Sequence, residues 1–149
     1  MRSTRLIGMM TAAVTGLGSA VAAAEDIALS FVNPKGRIDI QSSAVSGVEG
    51  QATITTWNTE TGEVRESPDP HVEICLPENV RQRLCQLTQQ IVGEPLAIVI
   101  ACTTVEKPIV REPLCTRPCF QISAANIAEA TALAEKIRTG TNKTCAPSD

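Results

Sequence analysis

The sequence predicts an α+β domain in which a largely antiparallel sheet carries two helices packed on one face. Two observations lead there. Short runs rich in apolar and β-branched residues recur between turn signals, and two longer segments repeat their apolar residues at helical spacing. Each helix has a single apolar stripe and so needs cover of the same kind, which one sheet face supplies to both.

Taken in order, residues 27–32 (Ile-Ala-Leu-Ser-Phe-Val) form a first strand, and Asn33-Pro34-Lys35-Gly36 turns the chain into the alternating run 37–40. These pair as a hairpin. Residues 41–50, rich in Ser and Gly, read as loop, whereas 52–57 is strand-like and is followed by a turn at 59–63. The polar stretch 65–70 then leads into a strand at 71–76. Pro77 suits the first turn of a helix running to Val92, with Val80, Leu84, Leu87 and Ile91 on one face and Gly93 closing it.

The second half is organised around residues 94–140. The apolar run 95–100 is too short for a helix and reads as a buried strand, 103–107 as the turn that follows, and 108–113 as a returning strand with prolines at its ends. A loop with Cys115 and Cys119 comes next. Ser123 then caps a helix whose residues Ile127, Ala130, Leu133, Ala134 and Ile137 share one face, and Gly140 ends it.

The N-terminus carries an export signal. Arg2 and Arg5 precede an apolar stretch over residues 6–21, and Ala22-Ala23-Ala24 before Glu25 has the small-residue form of a cleavage site, so residues 1–24 are assigned to a signal peptide. Thr11, Thr15, Gly16, Gly18 and Ser19 make the stretch too weakly apolar for a lasting anchor. The expected product is a single domain over 25–140 with a polar tail, 141–149, in the periplasm or outside the cell, and no later segment spans a membrane. Loss of Arg2 and Arg5 leaves 11 basic residues against 16 acidic ones. With only Phe31, Trp57 and Phe120 as aromatics, base-stacking platforms are lacking, so nucleic acid is excluded as a partner.

Cys75, Cys85, Cys102, Cys115, Cys119 and Cys145 all follow the signal. An even count in an oxidising compartment points to disulfides. Zinc would want a C-x-x-C pair or clustered histidines; the chain has neither, and no metal or other cofactor is expected. On its helix Cys85 lies about 140° from Val80, away from the sheet, while Cys75 alternates with Val72, Ile74 and Leu76, so a Cys75–Cys85 bridge is disfavoured. Pairing Cys115 with Cys119, or tying one of them to Cys102, would close a short irregular segment.

No catalytic set emerges. His71 is the lone histidine, expected at the surface beside Pro70, and Glu73, Glu78, Glu106 and Glu112 show no pattern that brings two carboxylates together. Gly47, Gly50 and Gly62 lack the strand-to-helix setting of a phosphate loop, and the sequon Asn142-Lys143-Thr144 is read as chance. The chain is therefore not expected to be an enzyme.

The strings Ala97-Ile98-Val99-Ile100, Pro108 to Pro113 and Gln121-Ile122-Ser123 are followed by Glu129-Ala130, Leu133-Ala134, Ile137-Arg138 and Gly140. Together they resemble the head part of the first periplasmic domain of SecD, the accessory subunit of bacterial protein export. The likeness includes the helix from Pro77 to Thr88 and covers residues 40–140. Two positions depart from the family pattern: Ala101-Cys102-Thr103-Thr104 replaces its acidic-glycine turn, and Ala124 stands where glycine is usual. The family's base subdomain and membrane helices have no counterpart, so its energised step is not expected of this chain alone.

The resemblance implies a non-enzymatic binding or accessory module that contacts translocating or unfolded polypeptide, or an envelope protein. Exposed strand edges suit that role, because an added strand binds through its main chain. The surfaces singled out are the hairpin 96–112 and the loop 113–120, with Thr103, Thr104, Lys107, Arg111 and Arg117 as binding candidates. A small exported hydrolase and a secreted inhibitor or effector are the alternatives.

Overall fold

A computed structural model describes residues 26–140. The expected signal peptide, the tail with Cys145 and the sequon lie outside them. The chain runs β1 (Ile27–Asn33), β2 (Gly36–Gln41), a 3-10 turn (Ser42–Ala44), β3 (Ser46–Trp57) and β4 (Val64–Cys75). It continues with α1 (Glu78–Gln90), β5 (Ala97–Ile100), β6 (Thr103–Glu106), β7 (Cys119–Ser123) and α2 (Ile127–Thr139).

The strands are antiparallel throughout and divide into two sheets, β2-β1-β5-β6 and β3-β4-β7, where the sequence suggested one. The division falls at the Ser42–Ala44 turn, which leads the chain off the end of β2 so that β3 pairs forward with β4. The two helices share one core, each lying against a different sheet. α1 meets β2, with Leu87 packed on Gly36, while α2 crosses β3 and β4 and reaches β1. Val80, Leu84, Leu87 and Ile91 of the first stripe are all buried, together with Ala130, Ala134 and Ile137 of the second; Ile127 is exposed.

Close approach of α2 to β3 depends on Gly50. A Cβ there would lie 2.9 Å from the Thr131 backbone nitrogen and 3.0 Å from the Ala130 carbonyl carbon. The contact is fixed further along by Arg138, whose guanidinium donates to the Val48 carbonyl.

Several local expectations are corrected. The turn after β5 is the pair Ala101-Cys102, both in the left-handed region (φ 49° and 63°), which brings β6 back at Thr103. Two positive φ values give the tight turn whose twist matches paired strands. Residues 108–113 form no strand and bond at a single bridge, Pro95 with Ile109, supported by Leu96 N–H to Pro108 O (2.9 Å) and Val110 N–H to Glu94 O (2.9 Å). Prolines at 108 and 113 limit that pairing. β7 occupies what read as loop, so the cap of α2 moves to Asn126, which accepts from Glu129 N–H (2.8 Å) while the Glu129 carboxylate accepts from Ala125 N–H (2.8 Å). β4 begins at Val64, taking in the supposed polar connection.

Candidate functional site

A cleft of about 580 Å³ opens between the β6 side of the first sheet and the β7 side of the second. Its apolar lining includes Leu76, Leu84, Leu96, Ile98 and Leu114, and Phe31 meets Phe120 across it at 5.4 Å between ring centroids. Arg81, Arg117, Glu73 and Glu106 supply the charges.

Cys119, Phe120 and Gln121 are consecutive on β7, yet all three line the cleft. Side chains alternate between the faces of a strand, so three in succession meet one cavity only where it runs along the strand's edge. The hydrogen-bond pattern agrees. Leu76 N–H bonds Pro118 O and Ala124 N–H bonds Pro70 O, both at 2.9 Å, so even-numbered residues of this segment bond to β4. The main-chain groups of Cys119, Gln121 and Ser123 therefore point away from β4, toward open space. Of these, Ser123 N–H already has an acceptor in Glu106 Oε1 at 2.6 Å.

Disulfides set the walls. Cys75 and Cys119 stand opposite each other on β4 and β7 and are bonded, while Cys85 on α1 is bonded to Cys115. The two loop cysteines thus go to separate bridges, contrary to a Cys115–Cys119 pair, because β7 carries Cys119 onto the sheet and leaves Cys115 beside α1. Cys102 is disulfide-bonded as well. Thr88 adds a polar tie. It is fully buried, donates to Leu84 O (2.7 Å) and accepts from Leu114 N–H (2.9 Å), holding the loop before β7 against α1.

Of the five candidate binding residues, Arg117 lines the cleft. Thr103 and Thr104 lie exposed on the edge strand β6, Lys107 follows it, and Arg111 is exposed without reaching the cavity. Sequence reasoning missed Arg81, which pairs with Glu78 while its Nε is buried with no partner, and Gln121. Nothing in the spacing marks them, since they meet only through the folding of α1 against β7.

His71 is buried, correcting its expected surface position: β3 and β7 flank it, and its Nδ1–H donates to Asp69 O at 2.6 Å. Ligand atoms of Glu73, Cys75 and Cys119 lie within 4.8 Å of one another, but the two sulfurs are bonded together and offer no thiolate to a metal. Displaced carboxyl groups sit elsewhere. Partial burial opposes ionisation of Asp39, and hydrogen bonds from Ser30 and Arg37 with the Arg37 charge outweigh it, holding the carboxyl below its ordinary range. Glu94 is lowered as well, chiefly by a hydrogen bond from Lys35, at a contact that fastens the β1–β2 turn to the approach to β5.

Two solved structures share the fold. "Structure and function of a membrane component SecDF that enhances protein export" matches with a TM-score of 0.52 and 14% identity over 80% of this chain and 65% of that one. "Crystal structure of SecDF in Super-membrane-facing form" matches with a TM-score of 0.50 and 16% identity over 75% of this chain. The chain spans 14% of the length of that second structure and less than two-thirds of the first. No curated protein matches it. The model of the family described as "SecDF, P1 head subdomain" matches residues 40–141, a span that includes β3, α1, the β5–β6 hairpin, β7 and α2. The elements that build the cleft fall almost wholly inside that match, and the chain belongs to the SecDF P1 head subdomain family.

Proposed function

We propose that this protein is a non-enzymatic accessory module of protein export that works in the periplasm and contacts extended polypeptide through the cleft beside β7. The observation that carries this is the open strand edge along an apolar cavity, within the segment matched by the family. Main-chain groups on such an edge recognise any extended chain, and an apolar lining accepts varied side chains, so affinity comes without demanding a sequence. The bridges support a periplasmic location, where thiols are oxidised.

Two chemistry-bearing groups of the cleft are engaged in structure: Glu106 accepts a backbone amide and the Cys119 sulfur is in a disulfide. This supports binding over hydrolysis. Photoreactive residues placed in living cells at Arg117, on the cleft, and at Trp57, on the far tip of the β3–β4 hairpin, test the proposal. Capture of several unfolded exported precursors from position 117 and none from position 57 is the expected result. Equal capture from both positions, or none from Arg117, overturns it.

A further inference from the structure

We infer that Glu106 is a displaceable guard of the β7 edge: its carboxylate holds the place of a main-chain carbonyl, and an incoming strand takes that place when it pairs with residues 119–123. The inference rests on the proposed contact with extended chains and specifies how that contact is made. Cys119, Gln121 and Ser123 turn their main-chain groups to the same open side of β7, as the bonds of their neighbours to β4 require. An added strand would bond to all three. At Ser123 the donor is already met by Glu106 Oε1 at 2.6 Å, and this acceptor comes from the end of β6, the edge strand of the other sheet.

The substitution resembles a strand end in its chemistry. An N–H on a free edge needs an acceptor, and a carboxylate on a short side chain supplies one without extending the sheet. The same cavity is lined by Arg81, whose guanidinium pairs with Glu78 while its Nε stays buried without a partner. The β7 edge therefore presents main-chain donors and acceptors together at strand spacing, which fits an occupant that carries both. An extended polypeptide segment is such an occupant.

The test uses the oxidised protein, a short fluorescein-labelled peptide of alternating valine and threonine, and the same peptide N-methylated at alternate residues. Binding is read by fluorescence anisotropy for the wild type, Glu106→Gln and Glu106→Ala. Removing the guard strengthens binding of the plain peptide about fivefold in Glu106→Ala, the ratio set by one net hydrogen bond, with Glu106→Gln in between because its amide oxygen still accepts. Without peptide, amide exchange at Ser123 speeds up in Glu106→Ala and stays slow in Glu106→Gln, a readout that does not depend on any ligand. If all three proteins bind the plain peptide equally, the guard is refuted while contact with extended chains stands. If none binds either peptide, both ideas fall, and if plain and methylated peptides bind alike, pairing with the β7 edge is refuted.

Discussion

Cys75 and Cys119 sit directly opposite each other on β4 and β7, and their bridge encloses in sequence the second one, Cys85 to Cys115. The bonded cysteines are 44 and 30 residues apart in sequence, and the shorter loop lies inside the longer. When the outer bridge is present, the inner one restricts a chain already shortened, so the first bridge removed costs less than the second. With the Cys102 bridge kept, replacing either of these pairs by serine lowers stability by about 3 kcal/mol, and removing the other as well costs about 4 kcal/mol. Urea unfolding of the single and double variants measures both steps; equal steps would show that the loops act independently.

Gly50 should be irreplaceable for a steric reason. At an open strand position alanine in place of glycine gains about 0.5 to 1 kcal/mol. Here the new methyl group would press on the backbone of Thr131 and Ala130, which cannot yield as a side chain can. Gly50→Ala is expected to destabilise by about 2 kcal/mol, seen as a lower denaturation midpoint with unchanged slope.

Acid should weaken the β1–β2 hairpin through Asp39. Its carboxyl is lowered in the folded state, so as pH falls below the ordinary aspartate range the unfolded chain takes up the proton first. The stabilising contribution is complete above that range and is lost as pH falls through the folded value. Asp39→Asn should therefore show a shallower loss of stability between neutral pH and strong acid, read from denaturation midpoints across the titration. An unchanged acid slope would contradict the role given to Ser30 and Arg37.

Trp57, the sole tryptophan, faces Val64 across the ladder and is 72% exposed. Its emission should lie near that of tryptophan in water and be quenched by iodide almost as readily. Trp57→Ala should change stability by less than about 0.5 kcal/mol.

Much of the packing was legible before the coordinates. The stripe Val80, Leu84, Leu87 and Ile91 announces α1 because helical periodicity is a local signal, and Asn33-Pro34-Lys35-Gly36 announces the first hairpin by turn chemistry. What escaped lacks such signals. Ala101-Cys102 carries none of the Asn or Gly that normally marks two left-handed residues, so the sequence points to a turn and a returning strand later than the structure has them. Pro68 and Pro70 hide the first half of β4; they are tolerated because the ladder with β7 begins only at His71, and Pro70 offers its carbonyl to Ala124 N–H on that side. β7 is five residues long and follows Pro118, leaving too short a pattern to read. Of the residues that the sequence singles out for binding, Arg117 lines the cleft. Its other members, Arg81, Glu106 and Gln121, come from α1, β6 and β7, and only tertiary folding joins them.

Amide hydrogen exchange along β7, followed with and without an unfolded, carboxymethylated model polypeptide, tests most directly the claim that this edge receives extended chains. Added polypeptide should slow exchange at Cys119 and Gln121 while leaving Phe120 and Ile122, already bonded to β4, unchanged. Equal exchange at Cys119 and Gln121 in both conditions, with slowing confined to other surfaces, would contradict it.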